Sequence, residues 1–257
     1  MNEVIRQLAA RKSVRAFEDR DIPGEVRAAI LEAAAQAPTA GNQQLYTILD
    51  VTDPQLKARL AETCDHQPFI AQAPMVLIFL ADVCKWLDAY REAGCEPRAP
   101  GAGDVMLAAS DAAIAAQNAV TAAWSLGVGS CYIGDVMERC EEHREMLNLP
   151  PHVFPAAMLV LGYPTEQQAR RPKPERFNMA DIVCENVYRR KDGPALREMF
   201  AGRCGARGYD AWMDAFCRRK YNSDFSREMT RSVEAYLRDY GLVRAEDSGE
   251  DGAPGAR

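Results

Sequence analysis

The chain has 257 residues, 47% of them hydrophobic, and a formal net charge of -6 at pH 7. This length and apolar content allow one large domain with a sizeable core, alone or with an appendage. The acidic balance argues against nucleic acid or an anionic membrane as the partner. None of the eight cysteines forms a Cys-x-x-Cys pair, so no zinc site is indicated. In a chain of this length they suit reduced thiols in the cytoplasm.

Hydrophobic periodicity predicts alternating helices and strands along most of the chain. In chain order we predict a helix over 3–9, a helix over 24–36, a turn over 37–44, a strand over 45–51, a helix over 54–63, a strand over 75–80, a helix over 84–93, a long helix ending near 127, a strand over 128–133, a helix over 138–147, a strand over 155–161 and helices over 209–219 and 225–240. Strands separated by helices indicate an α/β or α+β sheet domain.

The longest predicted helix follows a Pro- and Gly-rich loop, residues 94–103, whose composition is typical of segments that cover functional sites. Asp104 is predicted to be the N-cap of this helix. Its apolar stretch, residues 105–128, is rich in alanine and is interrupted by polar residues such as Asp111. These polar residues favour a buried helix over a membrane span. Residues 1–11 contain no apolar segment of the kind found in a secretory signal.

The sequence changes character from Asn186 onward, where it becomes charged and aromatic. We therefore divide the chain into a main domain over 1–185, a helical appendage over 186–243 and a Gly- and acid-rich tail over 244–257 that we expect to be disordered. The appendage is too small and polar to bury a core alone. We expect it to pack on the main domain or on a partner subunit.

The densest cluster of cations lies near the N-terminus. Arg11, Lys12 and Arg15 place three positive charges within five residues, and Ser13 adds a hydroxyl between them. Charge-assisted hydrogen bonds from such groups suit a phosphate. The alternative is a solvated basic loop, which is the more common fate of basic runs.

The sequence lacks the common motifs of hydrolases, kinases and dinucleotide-binding enzymes. It contains three histidines and neither a Gly-x-Ser-x-Gly elbow, a Gly-x-Gly-x-x-Gly fingerprint nor a P-loop. Hydrolase and kinase functions therefore have little support, and we predict no metal site. If the protein is an enzyme, we expect a cofactor to supply the difficult chemistry.

Six segments in order resemble the FMN-dependent nitroreductase family, in particular its longer NADPH-preferring nitroreductases and flavin reductases. The resemblance covers most of residues 3–190. The matching segments are RKSVRAF at 11–17, APTAGNQQ at 37–44, HQPFIAQAP at 66–74, DAAIAAQNAVTAAWSLGVGSCYIG at 111–134, LPPHVFPAAMLVLGYP at 149–164 and RRPKPERF at 170–177. Each segment alone is a weak signal, whereas six in order are a specific one.

The resemblance implies an α+β fold with a mixed central sheet flanked by helices, built as an intertwined homodimer with two FMN molecules at the subunit interface. The main domain would then be the FMN-binding part. In such a dimer, the alanine-rich helix would let two subunits approach closely. A helix buried within one monomer would explain its alanine content equally well.

The resemblance also implies which residues contact FMN. Around the phosphate and ribityl chain these are Arg11, Lys12, Ser13 and Arg15, with a late basic pair, Arg171 and Lys173. Along the ring and the ribityl hydroxyls they are Pro38, Thr39, Ala40 and Asn42, with Gln67 at the pyrimidine edge and the backbone of Tyr132, Ile133 and Gly134 at the reactive edge. A glycine suits that edge because close approach to a planar ring leaves no room for a Cβ.

Several of these residues depart from the family pattern or have plain structural explanations. Arg171 and Lys173 stand in the reverse of the expected order, and the two side chains are not interchangeable at a forked contact. Ala40 lacks the hydroxyl that family members commonly carry there. The alternatives are a solvated turn for the basic pair, an ordinary turn for residues 38–42 and a surface position for Gln67.

The implied function is an NAD(P)H-dependent FMN oxidoreductase that reduces nitroaromatics, quinones or flavins in two half-reactions, with no side chain required as acid or base. NADPH is the favoured donor because four arginines could read its extra phosphate: Arg203, Arg207, Arg218 and Arg219. A solvated helix face is the alternative for these arginines. The alternative function is a flavin-storage or flavin-sensing protein of the same fold without turnover.

Overall fold

The computed structural model describes residues 2–242. Its helices are α1 (Glu3–Ala10), α2 (Gly24–Ala35), α3 (Pro54–Thr63), α4 (Phe69–Gln72), α5 (Cys84–Glu92), α6 (Ala102–Ser125), α7 (Cys140–Leu147), α8 (Glu166–Arg170), α9 (Met179–Ile182), α10 (Gly193–Cys204), α11 (Tyr209–Lys220) and α12 (Asp224–Leu237). Its strands are β1 (Tyr46–Asp50), β2 (Met75–Asp82), β3 (Gly129–Ile133) and β4 (Val153–Gly162). The tail predicted over 244–257 lies outside the described residues.

The α+β class is confirmed, and the four strands form one sheet in the order β1-β2-β4-β3. Each neighbouring pair of strands is antiparallel. This differs from the mixed sheet that we expected. Within residues 2–242 the parallel pairing is an isolated bridge between Ser13 and Ser130. The segment that carries the cation cluster, residues 11–15 (the basic segment), runs alongside β3 there without forming a ladder.

Strand β2 lies at the centre of the core, and all eight of its residues are buried. Met75, Leu77 and Phe79 face α2 and α6 on one side of the sheet. Val76, Ile78 and Leu80 face the cluster formed with α3 and α4 on the other side. A strand covered on both faces has a continuous apolar sequence, which is why the run starting at Met75 predicts it well.

The long helix α6 packs within its own chain. Its alanine face, including Ala112, Ala115 and Ala119, is fully buried against α2 and the sheet. The small side chains therefore have a function inside the monomer, and the alanine content needs no second subunit to explain it. The large exposed apolar residues of α6 include Met106, Leu107 and Ile114.

The predicted N-cap of α6 was wrong by one turn. Gly101 is the N-cap, and Asp104 is the third residue of the helix. The Asp104 carboxylate accepts a hydrogen bond of 2.8 Å from the Gly101 backbone N–H and also binds Arg98. An acid at the third helical position can cap a helix because its carboxylate accepts from the backbone N–H of the N-cap residue. The helix therefore begins at Ala102, inside the loop predicted over 94–103.

The described chain forms two compact units. The first contains the residues up to Arg171 and those from Met229 onward, and the second is Pro172–Glu228. This division differs from the boundaries at 185 and 243 that the sequence suggested. Within the first unit Tyr236 lies edge-on to Phe154, with ring centroids 5.2 Å apart, so most of α12 belongs to the main body.

The second unit is organised around aromatic side chains. Phe177 and Phe200 meet edge-on with their centroids 5.1 Å apart, while Trp212 and Phe216 stack at 4.8 Å. Its longer helices are α10 and α11, and of their residues Cys204 alone is buried. None of the helices that the structure describes is long and apolar enough to cross a membrane.

Candidate functional site

The basic segment lies against the beginning of β3. Ser13 pairs with Ser130, and the Val14 N–H donates to the Ser130 carbonyl at 2.9 Å. Val14 is fully buried, and a Cβ added at Gly129 would lie 2.6 Å from its Cγ2. Gly129 therefore allows the close approach that joins two segments more than a hundred residues apart in sequence.

The cations of this segment act on the side chains of β3. Burial raises the pKa of the Cys131 thiol, while Arg15 is the leading group that counteracts this, followed by Ser13 and Arg11. Burial also raises the pKa of Tyr132 to about 12, and Arg11 again opposes the shift. With its pKa raised, Cys131 is a packing residue rather than a nucleophile, as its sequence context indicates.

Arg11 carries an unused hydrogen-bond donor. Its Nη1 is buried and has no hydrogen-bond partner among residues 2–242. Buried guanidinium N–H groups are normally paired, because leaving one without an acceptor costs free energy. An anionic ligand bound beside Arg11 would supply the acceptor, so the residues present fit a phosphate-bearing cofactor.

Helix α8 lies next to the basic segment. The Lys12 ammonium donates to the carbonyls of Ala169 and Arg171, so two of its three donors serve to connect the two segments. The Arg15 backbone N–H donates to Oε1 of Gln168 at 3.3 Å. The structure thus brings Arg171 close to residues 11–15, with its side chain exposed. Lys173 belongs to the second unit.

The turn over residues 38–44 is held by a buried acid of α6. Asp111, which is 3% exposed, accepts the Ala40 N–H on Oδ1 at 2.9 Å and the Leu45 N–H on Oδ2 at 3.2 Å. The Thr39 hydroxyl accepts the Gln44 N–H at 3.1 Å. Asn42 has a φ of 56°, in the left-handed region. Pro38 is exposed beside them.

Asp111 is the residue of the site that sequence reasoning missed. Its signal was present, since an acid inside an alanine-rich buried helix must find hydrogen-bond donors. The sequence pattern could not say where those donors were, because they lie about 70 residues earlier in the chain.

Gln67 sits on a tight turn after α3. Its Nε2 donates to the Cys64 carbonyl at 2.8 Å, and the preceding residue, His66, has a φ of 50°. Cys64 packs in the same cluster as Ile133. Burial, with a contribution from Asp135, raises the pKa of Cys64 to about 12. The turn therefore lies near the end of β3.

At the end of β3 the side chains of Tyr132 and Ile133 are hydrogen-bonded or buried within the chain. Ile133 is 2% exposed, and the Tyr132 hydroxyl donates to Oε1 of Gln117 at 3.4 Å. Gly134 has φ −80° and ψ −22°, which any residue adopts, and a Cβ there would meet only Met137 Cε, at 3.8 Å, among the described atoms. The chain itself leaves room beside Gly134.

The fully buried His143 connects the segment after Gly134 to α3. The Val136 carbonyl lies 2.9 Å from Nδ1, and the Thr63 hydroxyl lies 2.8 Å from Nε2. Because a carbonyl can only accept, Nδ1 carries the proton and Nε2 accepts from Thr63. Burial lowers the pKa of His143. Both ring nitrogens of His143 are engaged in structural contacts.

The loop over 94–103 borders a separate cavity of about 420 Å³. Trp86 and Tyr90 of α5 line it, and the Trp86 Nε1–H donates to the Gln43 carbonyl at 2.8 Å. This bond connects the wall of the cavity to the turn over residues 38–44.

Comparison with known proteins agrees with this geometry. A sequence model described as "Nitroreductase family" matches residues 8–163. The chain is 32% identical over 239 residues to an FMN reductase [NAD(P)H] of Bacillus subtilis, covering 92% of this chain and 91% of the relative. It is 31% identical over 221 residues to an oxygen-insensitive NADPH nitroreductase of Salmonella typhimurium, covering 83% and 89%. The solved structure of Bacillus megaterium NfrA2 superimposes with a TM-score of 0.79 at 29% identity, covering 94% and 98%.

Proposed function

This chain belongs to the nitroreductase family, and from that premise we propose that it is an NAD(P)H-dependent FMN oxidoreductase that reduces electron-poor acceptors. Nitroaromatics, quinones and free flavins are the acceptor classes. The relatives named as reductases cover most of the chain, which supports an enzyme over a flavin-storage or flavin-sensing protein.

One observation carries this proposal. The pairing of Ser13 with Ser130 brings the basic segment to β3, and thereby joins the proposed phosphate residues to the strand that leads to the proposed reactive edge. Arg11 and Arg15 then face a region where their charges already act on Cys131. A phosphate-bearing flavin would use both features at once: cations for its phosphate and an open backbone edge for its ring.

Each proposed FMN-binding residue has a role that its surroundings permit. Arg11, Ser13 and Arg15 would hold the phosphate, with Arg171 beside them. Lys12 would position α8 and bind with its remaining donor. The other proposed residues are Lys173 at the phosphate, Pro38, Thr39, Ala40 and Asn42 along the ring and ribityl chain, Gln67 at the pyrimidine edge, and Tyr132, Ile133 and Gly134 at the reactive edge.

When bound, FMN supplies the ring that takes a hydride from the nicotinamide and passes it to the acceptor. The protein's own residues bind, orient and exclude water. The cationic segment favours an anionic form of its ligand, by the same preorganised electrostatics that stabilise developing charge at other active sites. We assign no catalytic side chain.

NADPH is the proposed donor, read by arginines of the second unit. Arg218 is paired with Asp214, and Arg219 lies over the Phe216 ring. Arg203 lies over Phe177, with its guanidinium carbon 3.8 Å from the ring centroid, and both Arg203 and Arg207 are exposed residues. Arg203 and Arg207 are therefore the better candidates for the extra phosphate of NADPH.

The purified protein should be yellow, and heating should release FMN rather than FAD. NADPH should bleach it without oxygen, and a quinone should restore the colour. A parallel titration with NADH measures the donor preference. FAD in the released fraction, or no flavin after reconstitution, contradicts the proposal. A yellow protein that no nicotinamide bleaches would instead support the non-catalytic alternative.

We also propose that the protein is a homodimer, because α1 presents apolar side chains that its own chain leaves exposed. Val4, Ile5 and Leu8 are each about half exposed, at 58%, 50% and 48%. No residue of α1 is buried within the described chain, although α1 packs beside α6. An amphipathic helix of this kind gains stability by burying its apolar face against another surface.

Light scattering should show a dimer that persists on dilution below the micromolar range. The double variant Ile5→Glu/Leu8→Glu should dissociate or lose stability, because it would place two carboxylates in the proposed interface. The control Ala58→Glu, at an exposed position of α3, should remain dimeric. A folded monomeric wild type with bound FMN would overturn the proposal.

A further inference from the structure

Gln168 is a buried amide beside the basic segment. It lies in α8, is 8% exposed and lines a surface cavity together with Ala16, Thr165 and Arg171. Its Oε1 accepts the Arg15 backbone N–H at 3.3 Å. Its Nε2 is buried and has no hydrogen-bond partner among residues 2–242.

The orientation of this amide follows from its neighbour. A backbone N–H can only donate, so the atom of Gln168 that faces Arg15 must be the oxygen. The amide nitrogen, with two N–H donors, then points away from Arg15. Buried donors are partnered in the great majority of native proteins, so a buried donor without an acceptor, on a residue that lines a cavity, indicates a missing acceptor.

We propose that Gln168 is a further FMN-binding residue, whose Nε2 donates to the phosphate of FMN next to Arg15. This inference rests on the proposed function. The surrounding charge favours an anion over a neutral hydroxyl, since Arg170 and Arg171 line the same cavity. Glu166, the acid that lines the same cavity, is paired with Arg170.

The same contact would couple cofactor binding to the position of the basic segment. Gln168 holds the Arg15 backbone on one side and would hold the phosphate on the other. A ligand with a phosphate would therefore fix α8 and residues 11–15 together, whereas riboflavin, which lacks the phosphate, would not. Gln168 should then contribute to the preference for FMN over riboflavin.

The test is a titration of the apoprotein with FMN and with riboflavin, in which the quenching of flavin fluorescence measures binding. Gln168→Glu keeps an oxygen for the Arg15 N–H and replaces the donor with a charge that repels phosphate. Gln168→Met removes the donor without adding charge. Gln55→Glu, at an exposed position of α3, is the control for added charge.

Both Gln168 variants should bind FMN about tenfold or more weakly, the loss expected for one charge-assisted hydrogen bond. Their riboflavin affinity should stay within about twofold of wild type, as expected when no phosphate contact is lost. Unchanged FMN affinity in folded variants overturns the role of Gln168, and an equal loss for riboflavin overturns the contact with phosphate. Wild-type protein that binds neither flavin would instead contradict the proposed function.

A crystal structure of the wild-type FMN complex decides the matter even if both variants fail to fold. We expect Nε2 at hydrogen-bond distance, about 2.7–3.2 Å, from a phosphate oxygen. A water molecule or another protein group in that position would overturn the inference.

Discussion

Replacing Asp111 with alanine should lower the free energy of unfolding by about 3–5 kcal/mol and abolish tight FMN binding. The Asp111 carboxylate accepts two backbone N–H groups, from Ala40 and Leu45. Hydrogen bonds to a charged group contribute roughly 1.5–3 kcal/mol each, and the Leu45 donor would be left buried without an acceptor. The turn over residues 38–44 would lose the contact that fixes it to α6.

Chemical denaturation of the apoprotein and flavin titration are the two measurements. Asp111→Asn is the intermediate variant, because an amide keeps one acceptor oxygen but turns its NH₂ group toward a second donor. The control is Asp88→Ala on α5, whose ion pair with Arg91 lies at the surface. Exposed pairs contribute about 0–1 kcal/mol, so this variant should be nearly neutral. An Asp111→Ala protein as stable as the control would show that the turn does not depend on this carboxylate.

The sequence predicts the elements whose information is local. Helix α3 (Pro54–Thr63) begins and ends where predicted, because Asp53 caps it and Pro54 suits the first helical position. Strand β2 was recognised from its continuous apolar run. The start of α6 was misplaced because Asp104 caps it from the third position, an arrangement that looks like an N-cap in the sequence.

What the sequence could not supply are contacts between distant segments. Helix α8 has five residues, too few for a periodic pattern, and so Gln168 gave no signal of its own. The pairing of Ser13 with Ser130 depends on Gly129 and Val14 meeting in space. The basic segment could be recognised as a phosphate site, whereas the neighbours that complete it emerge only from the fold.

The placement of α12 shows the same limit. Its charged and aromatic sequence indicated part of an appendage. In the structure the Tyr236 hydroxyl donates to the Cys140 carbonyl at 3.4 Å, and the Ser232 hydroxyl accepts the Cys140 N–H at 3.0 Å. These partners lie about 90 residues earlier in the chain. Specific buried contacts, rather than overall composition, determine the unit to which this helix belongs.

A pair of glycine substitutions should separate the structure of the site from its contact with the cofactor. In Gly129→Ala the new Cβ would lie 2.6–3.0 Å from three side-chain atoms of Val14, which is fully buried and stiff at χ1. Overpacking of this kind costs about 1–3 kcal/mol. The strain would push residues 11–15 away from β3, so both apoprotein stability and FMN affinity should fall.

Gly134→Ala should behave differently. The described chain leaves 3.8 Å to its nearest neighbour, Met137, and the backbone torsions of Gly134 suit alanine. The apoprotein should therefore keep its stability to within about 0.5 kcal/mol, as ordinary surface substitutions do. FMN affinity should still fall, because the added methyl group would occupy space that we assign to the flavin ring.

Thermal unfolding of the apoproteins and flavin titration distinguish the two outcomes. Gly103→Ala is the matched control, since nothing lies within 4 Å of a Cβ at that position of α6. It should be neutral or stabilising, because alanine is the better helix former. In the double variant Gly129→Ala/Val14→Ala, two of the three clashing atoms are removed, and part of the lost FMN affinity should return.

A Gly134→Ala protein that binds FMN as well as wild type would show that the flavin edge does not lie at the end of β3. A stable Gly129→Ala protein with full affinity would show that the basic segment does not need its close approach to the strand.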